Sequence, residues 1–172
     1  IYEGDTKVIL LSASDVDEDD LTYSITDGVD ITSSIDGTTV TFSLITNDDY
    51  FGSEDFTVSV TDGEYIDTQT FTVTVANVND APVLATVSNV SFSEDASSDA
   101  VTLSATDADA DELTFNISGG TNITATLDVN QLSFSSILNF NGSEPFTVSV
   151  TDGEYTDTQV LNVTVTPVND SP

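Results

Sequence analysis

Apolar and polar positions alternate with a period of two along much of the chain. Phe146, Val148 and Val150 fall on one side of an extended segment, and Thr147 and Ser149 on the other. The same alternation runs through Leu161, Val163 and Val165, through Val101, Leu103 and Ala105, and through Leu113, Phe115 and Ile117. Successive side chains of a β-strand point to opposite faces, so each run predicts a half-buried strand. No useful stretch repeats at about 3.6 residues, and no helix is expected. Gly-Glu-Tyr after Asp62 and after Asp152 marks a tight turn, and residues 118–122 mark a loop. In the second half of the chain the pattern predicts strands A to G near 83–93, 99–106, 113–118, 122–127, 131–138, 146–151 and 158–167. About seven short strands separated by turns predict an all-β, Greek-key, Ig-like sandwich.

The pattern occurs twice. FTVSVTDGEYIDTQ, starting at Phe56, returns as FTVSVTDGEYTDTQ, starting at Phe146, and LSASDVDEDDLT at Leu11 returns as LSATDADADELT at Leu103. The two offsets differ slightly, which places a length change near 44–50. Two tandem sandwiches are therefore expected: residues 1–80, with a truncated first strand, and residues 81–172, ending in the next linker. Each repeat is long enough to close one sandwich.

Composition changes what such a pair can do. The chain has 31 acidic residues and one basic residue, Lys7, for a net charge of −30, with no His and no Cys. Nucleic-acid binding needs Lys and Arg against phosphate, and attraction to anionic lipid needs the same, so neither class is expected. No apolar run approaches the about 18 residues of a membrane-spanning helix, and no membrane insertion is expected. Catalysis is also disfavoured: His, Cys and Arg are missing, and carboxylates alone would have to do the work. The partners this charge favours are cations.

Counting antiparallel strands places the acids. At one end of the first unit lie Glu3, the loop acids Asp48, Asp49 and Glu54, and the linker Asn79–Asp80; at the expected facing end of the second lie Asp107, Asp109, Asp111 and Asp152. Carboxylate, amide and carbonyl oxygens without nitrogen or sulfur ligands describe a hard cation. Ca²⁺, which takes six to eight oxygens, fits better than Mg²⁺, which usually keeps several waters. Asp107-x-Asp109-x-Asp111 also opens like an EF-hand loop, but Glu112 stands where that loop needs glycine and a strand follows. Tyr65 and Tyr155 are expected to pack against the corner between strands F and G.

The motifs ATDADADELTFNI and VNDAP, the glutamates Glu3 and Glu94, and Asp62 and Asp152 at the ends of strand F together resemble cadherin repeats. The likeness is to the cadherin-like tandem modules of bacterial surface and secreted proteins, and it covers nearly all of both units. It implies an interdomain Ca²⁺ site drawn from Glu3, Asp49, Glu54, Asn79, Asp80, Asp107, Asp109, Asp111 and Asp152. It further implies a half-site at Asp15, Asp17 and Asp62, and another at Glu94, Glu144, Asn169 and Asp170. Departures from the pattern, NDDYFGSED and LNFNGSEP in the E–F loops and Asn77 at the start of the linker, imply fewer ions than the family's full cluster. The function implied is a non-enzymatic, calcium-rigidified extracellular or cell-surface spacer or adhesion module, its partners being neighbouring repeats of the same chain. The alternative is a sandwich that binds a cell-surface glycan or another cadherin-like domain.

Overall fold

The computed structural model describes residues 1–44 and 49–170. Asp48 and part of the stretch expected to differ in length lie outside those residues. The chain divides into two units, Ile1–Val78 and Asn79–Pro172. The division falls ahead of Asn79 rather than after Asp80, because both linker residues hydrogen-bond to acids of unit two.

Unit one is built from β1 (Lys7–Leu10), β2 (Thr22–Ile25), β3 (Ile31–Asp36), β4 (Thr39–Leu44), β5 (Gly52–Thr61) and β6 (Ile66–Val75). They form two three-stranded sheets, in the orders β1-β4-β3 and β2-β5-β6. The apolar sides bury Ile31, Val40, Phe42, Phe56 and Val75. Phe42 meets Phe56 edge-on at 5.0 Å and Phe71 at 5.9 Å, a geometry that aromatic quadrupoles favour over face-to-face stacking.

Unit two comprises β7 (Val83–Leu84), β8 (Val90–Ser93), β9 (Val101–Thr102), β10 (Ala105–Thr106), β11 (Thr114–Gly119), β12 (Ile123–Asp128), β13 (Gln131–Ser136), β14 (Gly142–Thr151) and β15 (Thr156–Thr166). Its sheets run β11-β14-β15-β8, β12-β13-β9 and β10-β7. Every pairing is antiparallel except β15 with β8. Phe134 and Phe146, the counterparts of Phe42 and Phe56, again meet edge-on at 5.0 Å.

The all-β sandwich class expected from the alternation is the fold observed. Four local expectations change. Strand A is two strands: β7 pairs with β10, whereas β8 crosses over to pair with β15. Strand B divides in the same way, because β9 pairs with β13 and β10 with β7. Strand F is longer than expected: β14 starts at Gly142 and β5 at Gly52, so Glu144 and Glu54 are strand residues, not loop residues. Finally, Tyr65 and Tyr155 do not pack into a corner; they are 72 % and 45 % exposed. Their backbones do the local work, each carbonyl accepting a hydroxyl hydrogen bond, from Thr61 and Thr151 respectively.

Gly28 and Gly120 occupy equivalent loops where a side chain has no room. A Cβ on Gly28 would strike the Glu54 carboxylate, the Ile31 carbonyl and the Phe56 ring, and one on Gly120 would strike the Ile123 carbonyl and the Phe146 ring. The loops are thus pressed against the ring that each core is built around.

Phe146 is 1 % exposed, whereas Val160 on the next strand is 68 % exposed. Phe146→Ala should therefore destabilise unit two by about 3–5 kcal/mol through lost burial and a residual cavity. Val160→Ala should change stability by no more than about 0.5 kcal/mol. Urea denaturation followed by tyrosine fluorescence checks both; equal effects would mean the buried face is misassigned.

Candidate metal centre

Asp107 follows β10 directly and opens a turn in which its own carboxylate organises the backbone. Asp107 Oδ1 accepts the N–H of Asp109 at 3.0 Å and of Asp111 at 3.3 Å. Ala110 takes a left-handed conformation, φ 60°, an uncommon geometry for a residue with a Cβ. The turn brings carboxylate oxygens of Asp107, Asp109 and Asp111 within 4.8 Å of one another, the first two residues half-buried and the third exposed.

Two further parts of unit two meet this turn. Asp152 ends β14, and its Oδ1 caps the following turn by accepting the N–H of Glu154 and of Tyr155, both at 2.7 Å. Its Oδ2 accepts the Asn79 side-chain amide at 3.0 Å. Asp109 Oδ2 accepts the Asp80 N–H at 2.7 Å, and the Asn79 amide also reaches the Asp80 carbonyl at 3.3 Å. The linker residues are thereby held against the acids of unit two.

The remaining inward oxygens, Asp107 Oδ2 and Asp109 Oδ1, are buried and have no hydrogen-bond partner. A buried carboxylate oxygen without a donor loses hydration and gains nothing in exchange. Burial, reinforced by Asp107, Asp109 and Asp152, pushes the Asp111 carboxyl above its ordinary range. Burial pushes Asp152 up as well, but the Asn79 amide and the Tyr155 and Glu154 N–H groups outweigh it, and its carboxyl lies low. Electron-rich oxygens with two vacant acceptors and no basic side chain nearby in sequence suit a hard cation.

Unit one builds the same turn. Asp15 Oδ1 accepts the N–H of Asp17 at 2.8 Å and of Asp19 at 3.2 Å, and Glu18 takes the left-handed position at φ 61°. Asp62 Oδ1 caps its turn through Glu64 and Tyr65, both at 2.7 Å, and these bonds hold its carboxyl low. Among the described residues only Asp107, Asp109 and Asp111 draw three acidic groups together.

The strand-A glutamates sit at the other end of each unit and bind the chain that leaves it. Glu3 Oε2 accepts the Val78 N–H at 3.1 Å, and its Oε1 is buried without a partner. Glu94, 5 % exposed, accepts the Val168 N–H at 2.6 Å. Beyond it Asn169 and Asp170 are exposed, the Asn169 amide reaching the Asp170 carbonyl at 3.1 Å. Asp49 is an exposed turn residue immediately before Tyr50.

Glu54 and Glu144, expected among the cation ligands, meet a different geometry. Glu54 accepts the N–H of Val29 at 2.9 Å and of Asp30 at 2.7 Å. Glu144 accepts the N–H of Thr121 at 2.7 Å, of Asn122 at 3.0 Å and of Ile123 at 3.1 Å, together with the Asn122 side-chain amide at 2.8 Å. Both are loop anchors whose lone pairs point at backbone donors. The position on β5 and β14, which the loop reading missed, is what aims them at the opposite loop.

A profile of the bacterial Ig domain matches residues 1–75 and again 79–164. The chain belongs to that family. The fold of these bacterial Ig units is also cadherin-like. It is similar to N-cadherin EC1-4 of Drosophila, with TM-score 0.62 and 18 % identity, over 94 % of this chain and 44 % of that one. It is similar as well to human protocadherin-24 EC1-2, with TM-score 0.61 and 18 % identity, over 93 % of this chain and 88 % of that one. In sequence the bacterial Ig pair is 34 % identical over 167 residues to chitinase A of Pseudoalteromonas piscicida, and it spans 20 % of that protein's length. No helix of the described residues is long and apolar enough to cross a membrane.

The anchor in the second bacterial Ig unit gives a pH signature. The Thr121 N–H, opposed by burial and joined by the Asn122 and Ile123 donors, lowers the Glu144 carboxyl from 4.5 to about 2. A carboxyl lowered by folding contributes stability above its unfolded value and loses it as pH falls through the folded one. Glu144→Gln should lower the melting temperature of unit two by several degrees at pH 7. That gap should close between the unfolded value of 4.5 and the folded value of about 2. Melts across this range check it; a gap that stays constant with pH would assign the effect to shape, not charge.

Proposed function

We propose that the Asp107 turn of unit two binds Ca²⁺, and that the chain is a non-catalytic, calcium-stabilised spacer or adhesion module of a multidomain extracellular protein. The observation that carries this reading is the pair of buried, unpartnered oxygens, Asp107 Oδ2 and Asp109 Oδ1, inside the cluster of Asp107, Asp109 and Asp111. Asp107, Asp109, Asp111 and Asp152 would supply carboxylate oxygens, with Asn79 and the Asp80 backbone completing the wall. When bound, the ion supplies positive charge and oxygen coordination, and no bond-making chemistry. Asp15, Asp17 and Asp62 form a related half-site. Glu3 at one end, and Glu94 with Asn169 and Asp170 at the other, are candidates for ligands nearer the departing linkers.

The extracellular spacer reading is supported by membership of the bacterial Ig family and by the cadherin-like fold. Similarity to one segment of a chitinase supports placing such units within a carbohydrate-active multidomain protein. Glycan binding by the units themselves finds less support. The exposed aromatic residues Tyr2, Phe51, Tyr65 and Tyr155 lie at an isolated bridge, a strand end and two turns. Among the described residues they form no row across a sheet.

Extracellular calcium modules bind with Kd of about 10⁻⁴–10⁻³ M. At a hundredfold excess over Kd the ion would stabilise the unit by about 2.7 kcal/mol. Melts in millimolar Ca²⁺ should therefore exceed those in EDTA by several degrees, with slower amide exchange from Val78 to Val83. Asp109→Asn should remove most of that difference, whereas Asp36→Asn, an exposed residue at the end of β3, should leave it. Coincident melts with and without Ca²⁺ would sink the proposal, and equal effects of the two substitutions would misplace the site.

A further inference from the structure

Two strands of unit two meet the cation pocket at their ends, and one segment lies between them. Asp107 follows β10 directly, and Asp152 opens the turn that leads from β14 into β15. The segment from Val83 to Val87 occupies the groove between β10 and β15. On one side Val83 pairs with Thr106 and Leu84 with Ala105, and the Ala85 N–H donates to the Ser104 carbonyl at 2.9 Å. On the other side Asp157 Oδ2 accepts the Leu84 N–H at 2.9 Å, while its Oδ1 accepts the Thr158 N–H at 2.7 Å. Gln159 acts twice, its Oε1 accepting the Val87 N–H at 3.0 Å and its Nε2 donating to the Leu84 carbonyl at 2.8 Å. A strand paired over two residues is shorter than most, and these two side chains extend its bonding. Pro82 and Leu84 are both buried, Leu84 in the core that also holds Val148 and Val150.

The same segment continues into the wall of the pocket. The Asp80 N–H donates to Asp109 Oδ2 at 2.7 Å, and the Asn79 amide to Asp152 Oδ2 at 3.0 Å. Only Ala81, Pro82 and Val83 separate Asp80 from Leu84. The proline ring fixes φ at Pro82, and a residue ahead of proline is confined to extended conformations. The tether is short and stiff, so fixing Leu84 narrows the positions open to Asp80. Asp157 and Gln159 are not among the pocket acids, and their polar atoms are engaged with the arm and with β15.

We propose that Asp157 and Gln159 are positioning residues for the cation pocket. They seat the arm, and the seated arm sets Asn79 and Asp80 against Asp152 and Asp109. This role rests on the reading of the Asp107 turn as a Ca²⁺ site. The arm has two states, seated and released, and the ion binds the seated one. Apparent affinity then scales with the seated fraction. The coupling is reciprocal: Ca²⁺ strengthens the seat by the same factor as the seat strengthens Ca²⁺ binding.

Calorimetric titration of the full chain with Ca²⁺, paired with hydrogen exchange, tests this role. The binding to follow is the part that Asp109→Asn removes. Gln159→Ala should weaken it about tenfold, within the usual range of coupling between sites. Val160→Ala, 68 % exposed on the same strand, should leave it unchanged. Saturating Ca²⁺ should slow exchange at the Leu84 and Val87 amides more than at those of β13. The β13 amides should keep their protection in Gln159→Ala, which separates loss of the seat from loss of the fold. Four glycines inserted between Ala81 and Pro82 would keep both attachments and loosen the tether. In that background Gln159→Ala should no longer change Ca²⁺ affinity. A wild-type chain with no Asp109-dependent binding would remove the cation reading and this role together. Intact wild-type binding with unchanged affinity in Gln159→Ala would overturn the positioning role alone. So would an equal loss from Gln159→Ala with and without the inserted glycines, because Gln159 would then act through the fold and not through the tether.

Discussion

A chain with 31 acids and one basic side chain cannot satisfy its carboxylates with ion pairs. The donors that remain are chiefly backbone N–H groups, joined by a few amide and hydroxyl side chains such as Asn79, Asn122 and Thr72, and the fold is organised around presenting them. Asp15 and Asp107 each close a turn on two backbone N–H groups, and Asp62 and Asp152 do the same at the ends of β5 and β14. Glu54 and Glu144 reach across to the loop that faces them, and Glu3 and Glu94 seize the chain as it leaves its sandwich. A carboxylate bonded to backbone donors is shorter-ranged and more directional than one held by a flexible lysine. Loops that would otherwise be loose ends are fixed to the sheets by that means. Where the donors run out, at Asp107 Oδ2 and Asp109 Oδ1, the same logic leaves room for an external cation.

The sandwich was legible because its strands bury one face each. Phe146, Val148 and Val150 could point nowhere else once an antiparallel partner existed on both sides. Strands A and B were harder because their breaks come from a change of partner, and alternation says nothing about which sheet a segment joins. The repeat itself revealed the acid turn, since ASDVDEDD and ATDADADE recur ahead of the same strand. The anchoring role of Glu54 and Glu144 was hidden by strand length: strand F was expected to start at 146, yet β5 and β14 begin at Gly52 and Gly142 and carry both glutamates. Tyr65 and Tyr155 misled because their shared position is needed for backbone bonds in the turn, not for the ring. The DTQ triplet that holds Val83–Val87 was visible in both repeats and carries no chemical signature beyond its repetition.

The two units act as internal controls for each other. They share the acid turn, the glutamate anchor and the edge-on phenylalanine pair, so these belong to the sandwich itself. In unit two the arm that carries Leu84 packs into the core beside Val148 and Val150, which are fully buried.

That arm joins the two sites of unit two. Asp80 is fixed to Asp109, Asn79 to Asp152, and Leu84 to Asp157, all within a stretch of six residues, 79–84. A short tether fixed at both ends has little freedom to lose when either end is reinforced, so each attachment lowers the entropic cost of the other. A cation drawn to Asp107 and Asp109 would hold the linker end, and the seated Leu84 would hold the strand end. Charge at the turn and apolar burial in the groove then act on the same segment. The acidity that repels in isolation becomes the means by which the connecting chain is tied to the domain it enters.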